Sequence, residues 1–268
     1  MQDKLTLMIP GPTPVPESVL QSMGRHPIGH RSADFQKIVE RTTAQLKWLH
    51  QTSNDVLVIT GSGTAAMEAG IINVLSKGDK VLCGDNGKFG ERWVKVAQAY
   101  GRSDLPKFYL DLGKYRKSAQ ANSNPFTPAI NLYFALEAAL EMMQAEGLEG
   151  IFARHARHRA AAQAGMKAIG LPLYAAEGCG SPAITAVAPD GIDAESLRKK
   201  VKDRFDILLA GGQDHLKGKV FRIGHLGFVC DRDVLTAVAA IEATLQELGL
   251  HKGTPGAGVA ACAAALAS

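Results

Sequence analysis

Asp55-Val56-Leu57-Val58-Ile59-Thr60-Gly61-Ser62-Gly63-Thr64-Ala65-Ala66-Met67-Glu68-Ala69, followed after Gly78-Asp79 by Lys80-Val81-Leu82-Cys83, is the stretch on which the fold turns. Asp55 to Thr60 is a short apolar run rich in β-branched residues, as a buried parallel strand requires. Gly61 to Thr64 breaks the run and Ala65 to Ala69 opens a helix. Lys80 to Cys83 is a second strand. Strand, turn, helix and strand make a βαβ unit, so the spacing predicts an α/β layer.

Toward the N-terminus, the prolines of Ile9-Pro10-Gly11-Pro12-Thr13-Pro14-Val15-Pro16 bar a helix or a central strand. Residues 1–16 therefore read as an extended arm lying on the body or on a partner subunit. Phe35, Ile38, Val39, Thr42, Leu46 and Leu49 then recur at helical spacing, with Ser32 as the N-cap. Toward the C-terminus the layer stops at Tyr100-Gly101. Leu105 to Leu112 is not a further strand and helix of that layer. Leu132, Leu136, Leu140 and Met143 mark a long helix, and Gly147 leads into a basic helix around Arg154 to Arg159. Strands are expected at Ser181 to Val187, Asp206 to Leu209 and Lys219 to Ile223. Helices are expected at Ala194 to Arg204 and Val234 to Leu248. The division follows as an arm (1–16), a large domain (17–127), a small α+β domain (128–252) and an Ala/Gly-rich tail (253–268). The tail has little to anchor it and reads as disordered or loosely docked.

Hydrophobic residues form 46% and charged residues 21% of the 268, and the net charge of +4 is not gathered into a basic block. That argues against nucleic acid as a partner. No apolar run is long enough for a membrane span, and the opening lacks the pattern of a secretory leader. Cys83, Cys179, Cys230 and Cys262 are far apart and form no CxxC pair, which suits a reducing cytoplasm better than a disulfide framework or a zinc site.

Gly61-Ser62-Gly63-Thr64 lies between strand and helix, where free N–H groups and the positive helix end favour a phosphate. A purely structural Gly/Ser turn reads equally from these residues, which match neither a P-loop nor GxGxxG. Phe89 follows the second strand at the same sheet edge and is either a stacking ring or a core aromatic. Arg222, inside the apolar run Val220 to Ile223, either meets a carboxylate or lies on a solvated strand face. His30 belongs to a helix start, and His225 to a local hydrogen bond. His155, Arg157, His158 and Arg159 read as a solvated helix face without metal-ligand pairing.

Taken in order, MIPGPTPVP, GHRSADF, TGSGTAAMEA, DNGKFGERW, NPFTPAINL and LAGGQDHLKGKVFRIGHLG resemble a class V pyridoxal-phosphate-dependent aminotransferase of the alanine/serine–glyoxylate type. Cyanobacterial members of this group have carried the label soluble hydrogenase small subunit. The resemblance implies the aspartate aminotransferase-like α/β architecture known as fold type I, with an intact C-terminal α+β small domain. It implies pyridoxal 5′-phosphate as cofactor, an amino acid and a 2-oxo acid as substrates, and a cytoplasmic homodimer. By the same resemblance Ser62, Gly63 and Thr64 hold the cofactor phosphate, and Phe89 stacks on its ring. Thr127 reaches the phosphate of the neighbouring subunit's cofactor, and Arg222 binds the substrate α-carboxylate.

The departure from the family pattern is large. The family's strand ending in the pyridine-nitrogen Asp, and the Ser/Gly-rich turn ending in the Schiff-base Lys, have no counterpart. The chain passes from Ala99-Tyr100-Gly101 directly to Asp104-Leu105-Pro106-Lys107. On the order of a hundred residues of βαβ-sized pieces are missing near 101–104, which truncates the large-domain sheet. The expectation is an inactive family member with no catalytic residue in place and weak or lost cofactor binding. The alternative is a non-catalytic structural or interaction subunit, pairing with a full-length homologue.

Overall fold

The computed structural model describes residues 5–100 and 108–268, the Tyr100 side chain excepted. The expected join near 101–104 lies outside the described residues, as do Leu105 to Lys107. In chain order the elements begin β1 (Thr6–Met8), α1 (Glu17–Met23), α2 (Ala33–Leu49), α3 (Gly63–Val74) and α4 (Lys88–Tyr100). They continue α5 (Leu112–Ala119), α6 (Ile130–Glu146), α7 (Leu148–Ala168), β2 (Ile184–Val187) and α8 (Ala194–Phe205). The last are β3 (Ile207–Gly211), β4 (Phe221–Gly224), α9 (Asp231–Glu247) and α10 (Ala257–Leu266). The chain forms two compact units: Glu17–Ala145, and the segment ending at Pro16 together with Glu146–Ser268. This division departs from the expected boundaries. The helix after Pro128 groups with the first unit, and the N-terminal arm groups with the small-domain sheet.

The Glu17–Ala145 unit is built on α2 and α6. Ser32 caps α2 through its hydroxyl, which accepts from the Phe35 N–H at 3.3 Å. That start sets Phe35, Ile38 and Val39 on one stripe, buried against Tyr133 and Phe134 of α6. The Phe35 and Tyr133 rings meet edge-on at 5.2 Å, and Arg41 pairs with Glu137 at 2.7 Å beside them. Helix α5, which periodicity did not reveal, is capped by Asp111, whose carboxylate accepts from the Gly113 N–H at 3.0 Å. Asn73 at the end of α3 secures this later segment. Its amide donates to the Leu110 carbonyl at 2.7 Å, and its oxygen accepts from the Leu112 N–H at 3.1 Å.

The two strands expected here, Asp55 to Thr60 and Lys80 to Cys83, do not form; among the described residues this unit contains no strand. Val56 to Ile59 are half-buried, while Val81 is exposed and Leu82 wholly so. The physical reason is that a strand's backbone hydrogen bonds are all made to neighbours. A parallel strand also buries both faces only when helices cover the sheet. Stripped of neighbours, these runs keep the composition of central strands without a ladder.

The second unit holds a four-stranded sheet of order β1-β3-β4-β2. β1 runs parallel to β3, with Thr6 opposite Ile207 and Met8 opposite Leu209. β4 is antiparallel to both β3 and β2. Met8, Val187, Ile207, Leu209, Phe221 and Ile223 alternate onto the core face. There they meet Leu197 and Val201 of α8 and the Val234, Val238, Ile241 and Leu245 stripe of α9.

The tail is not loose: residues 257–266 form α10, packed on α7 and α9. Its composition hid two anchors. Small residues allow close approach, since a Cβ on Gly258 would lie 2.7 Å from Ile169 and one on Gly165 2.8 Å from Val238. The Glu242 carboxylate, 2% exposed, accepts from the Gly256 N–H at 2.8 Å and the Val259 N–H at 3.1 Å. It thereby serves orphan donors at the start of α10. Cys262 is a fully buried residue of this helix, and burial raises its thiol pKa to about 11.

Candidate functional site

In the Glu17–Ala145 unit, Ser62 stands in extended backbone as the N-cap of α3, its hydroxyl accepting from the Ala65 N–H at 3.3 Å. Gly63 and Thr64 open the helix, so their N–H groups have no acceptor within it. Nothing lies within 4 Å of where a Gly63 Cβ would sit, which leaves room for a ligand to approach the backbone. The Thr64 hydroxyl accepts from the Arg92 guanidinium at 3.4 Å. Arg92 also lies over the Phe89 ring, 5.2 Å from its centroid. Arg92 thus gathers Ser62, Gly63, Thr64 and Phe89 into one patch, where two free backbone donors, a helix N-terminus and a cation suit a phosphate.

Sequence reasoning missed Arg92, although it stands three residues after Phe89 on α4, the spacing at which helical side chains meet. Phe89 is 71% exposed, so its ring face is available for stacking. Lys88 and Phe89 occupy the first turn of α4, and Lys88 pairs with Glu91 at 3.0 Å. Lys114 lies 3.6 Å over the Phe108 ring. Thr127 is exposed and lines a small crevice with Val58, Thr60 and Tyr109. Its segment is tied to the residue preceding the turn, because the Ala129 N–H donates to the Thr60 hydroxyl at 3.4 Å. The residues present fit the phosphate end of pyridoxal phosphate, while Lys88 is held by Glu91 and Lys114 by the Phe108 ring.

In the second unit, Arg222 projects from β4, half-buried, its Nε donating to the Gly211 carbonyl at 3.0 Å. Burial and the neighbouring Arg198 charge lower its pKa. Arg198, which sequence reasoning also missed, is itself taken up by Glu195 at 2.6 Å and the Leu209 carbonyl at 2.7 Å. Among the described residues Arg222 has no carboxylate partner, so the outer edge of its fork is open to an anion that would relieve the Arg198 repulsion.

Nearby, His225 is fully buried and shares a 2.9 Å hydrogen bond with the Thr185 hydroxyl, and burial pushes its pKa down to about 4. The basic stretch of α7 is not a solvated face, because His158 is fully buried and meets the Asp231 carboxylate at 2.8 Å. Burial also lowers the His158 pKa, against the opposing pull of Asp231. The signal was present: His158 follows Ile151 by seven and precedes Ala162 by four, on the apolar stripe of α7. Among the described residues no group of three or more His, Cys, Asp or Glu side chains could hold a metal ion. None of the described helices is long and apolar enough to cross a membrane.

No family model matches the chain. It is similar to the soluble hydrogenase small subunit of Synechococcus sp. (strain PCC 6716), at 46% identity over the whole of both chains. It is also 30% identical to an uncharacterised aminotransferase of Methanocaldococcus jannaschii, across 96% of this chain and 97% of that one. The chain belongs to the class V aminotransferases. Its fold agrees. It superposes on the ureidoglycine–glyoxylate aminotransferase of Bacillus subtilis with a TM-score of 0.92 at 23% identity, covering 100% of this chain and 99% of that one. The pyridoxamine–pyruvate aminotransferase of Mesorhizobium loti follows at 0.87 and 20% identity, covering 99% and 98%. This class V aminotransferase is nonetheless short. The Synechococcus alignment runs over 383 positions against 268 residues here, so 115 positions have no residue opposite although both ends are matched. The lost length comes from within the fold.

Proposed function

We propose that this chain is a class V aminotransferase that retains phosphate- and carboxylate-binding pieces of the family site and does not catalyse amino transfer. The parent reaction moves an amino group from alanine or serine to glyoxylate, with pyridoxal phosphate supplying the electron sink. The observation that carries the proposal is the internal shortfall of 115 positions. On the family pattern, the cofactor-binding lysine and the pyridine-nitrogen aspartate are expected in the missing block, near 101–104. Of the amines near the retained pieces, Lys88 is paired with Glu91 and Lys114 covers Phe108. Ser62, Gly63, Thr64 and Phe89, with Thr127 from a neighbouring subunit of a homodimer, would hold the cofactor weakly by its phosphate and ring. Arg222 keeps the α-carboxylate role. The free state of all four cysteines supports a cytoplasmic setting.

The test is to incubate the purified chain with pyridoxal phosphate, reduce with borohydride and map any pyridoxyl-lysine by mass spectrometry. Alanine and serine are assayed against glyoxylate in parallel. Stoichiometric labelling of one lysine, or turnover that persists through purification, refutes the proposal.

One observation favours a second reading, that of an interaction subunit. Val56 to Ile59 and Val81 to Leu82 are unpaired apolar runs, and such backbone accepts an added strand from another chain. Copurification with a full-length homologue supports it; elution as a monomer in the presence of that homologue opposes it.

A further inference from the structure

The second unit contains a cleft of about 710 Å3 whose lining includes neither Arg222 nor any other residue assigned so far to the family site. One wall is α7, which contributes Arg159, Gln163 and Lys167. These stand four residues apart, so they lie on one helix face with the two cations roughly 12 Å apart along the axis. Among the described residues none of the three has a hydrogen-bond or ion-pair partner. The facing wall is the 172–181 loop with Ile184 to Ala186 of β2, and it is mainly apolar through Leu173, Ala175 and Ala176. Its polar groups are largely engaged: the Thr185 hydroxyl with His225, and the Ser181 hydroxyl with the Ala183 N–H. Glu177 is the acidic member, and it is exposed. Gly180 lets the loop close over the polar wall, since a Cβ there would lie 3.0 Å from the Gln163 amide nitrogen.

A cleft of this size is ordinary for a small-molecule site, where a few convergent polar groups set the ligand's chemistry. Here those groups are a guanidinium, an amide and an ammonium in a row on an otherwise apolar surface. We propose that this cleft binds a small organic dianion lengthwise along α7, one anionic group on Arg159, the other on Lys167, and its middle against Gln163. Carboxylate and phosphate ends share the required chemistry: Arg159 offers a fork to either, and Lys167 a point charge. The site is independent of whether amino transfer survives.

Isothermal titration calorimetry of the full chain at low ionic strength tests this, with glutarate, suberate, inorganic phosphate and pyrophosphate as probes. The expected result is saturable binding of at least one dianion at one site per chain that depends on Arg159 and Lys167, apart from any phosphate held at the start of α3. The dicarboxylate and phosphate arms report which end group is preferred. Arg159→Gln and Lys167→Gln each weaken that binding by about tenfold or more, the value of one charge-assisted hydrogen bond. Neither side chain supports the fold through a partner, so both variants keep the wild-type melting temperature. Gly180→Val leaves every charge in place and also abolishes binding, by crowding Gln163. Arg222→Gln leaves binding unchanged. Absence of saturable heat with all four probes overturns the proposal, as does wild-type affinity in both Arg159→Gln and Lys167→Gln. Loss of binding in Arg222→Gln alone assigns the anion to the family carboxylate site and equally overturns it.

Discussion

Removing the Glu242 carboxylate should release the C-terminal helix while the rest of its unit stays folded. Glu242 is 2% exposed and accepts from the Gly256 N–H at 2.8 Å, the Val259 N–H at 3.1 Å and His251 Nε2 at 3.1 Å. In Glu242→Ala, docked α10 loses the acceptor of two backbone donors at its start, Val259 half-buried and Gly256 exposed. At about 1.5 kcal/mol for each lost charge-assisted bond, the docked state is weakened by about 3 kcal/mol. That raises the undocked population on the order of a hundredfold. Cys262 reports it, being fully buried with its thiol pKa raised to about 11 when docked; only the released helix presents a reactive thiolate at neutral pH. With Cys83→Ser, Cys179→Ser and Cys230→Ser as background, the reaction of Cys262 with an aromatic disulfide reagent should accelerate by about the same hundredfold. Glu242→Gln, which keeps acceptor oxygen but loses the charge, should fall between. Circular dichroism taken alongside separates helix release from unfolding of the unit. Labelling of Glu242→Ala within about threefold of the parent rate would refute the anchoring role, since it would mean a docking penalty below about 0.7 kcal/mol.

Three further outcomes are expected. His225 has a folded pKa of about 4 against an ordinary 6.5, so between those values the unfolded chain binds the extra proton. Its contribution is complete above about pH 6.5 and falls by about 3 kcal/mol as the pH drops to about 4, with His158 shifted in the same direction. Urea midpoints that do not change across that window would contradict the burial of these rings as neutral groups. Asn73→Ala removes the bonds to Leu110 and Leu112, at a cost of about 2 kcal/mol; hydrogen exchange in α5 should quicken, and unchanged protection there would refute the stitching role. Ser62→Ala takes the cap from α3, which should cost about 1 kcal/mol of stability and, in an Arg159→Gln/Lys167→Gln background, weaken the remaining binding of inorganic phosphate; intact binding in that background would place the anion elsewhere.

Helices and their caps were legible in the chain's residue order. Ser32 before the Phe35, Ile38 and Val39 stripe, Gly147 before α7, and the α9 periodicity all lie where the pattern placed them. The small-domain strands β2, β3 and β4 were legible too, since their neighbours in the sheet are also present. The candidate site was visible as separate pieces, Ser62 to Thr64, Phe89 and Arg222, each with a bland alternative of its own. Arg92 and Arg198, which give those pieces their electrostatic setting, carry no local signal strong enough to single them out.

Sequence alone determined what a segment can settle with its own atoms. A helix closes its hydrogen bonds within a few residues, so periodicity and a cap suffice. It also set the expectation, from the direct passage of Gly101 to Asp104, that the family's reactive block is missing. Only the tertiary structure decided whether Val56 to Ile59 becomes a strand, whether His158 faces water, and whether an alanine-rich tail docks. Each of those depends on a partner distant in the chain: a neighbouring strand that is absent among the described residues, an Asp231 that is present, and a buried Glu242 waiting for two amide protons. A strand or a buried charge has no stability of its own to be read locally; its free energy belongs to the contact.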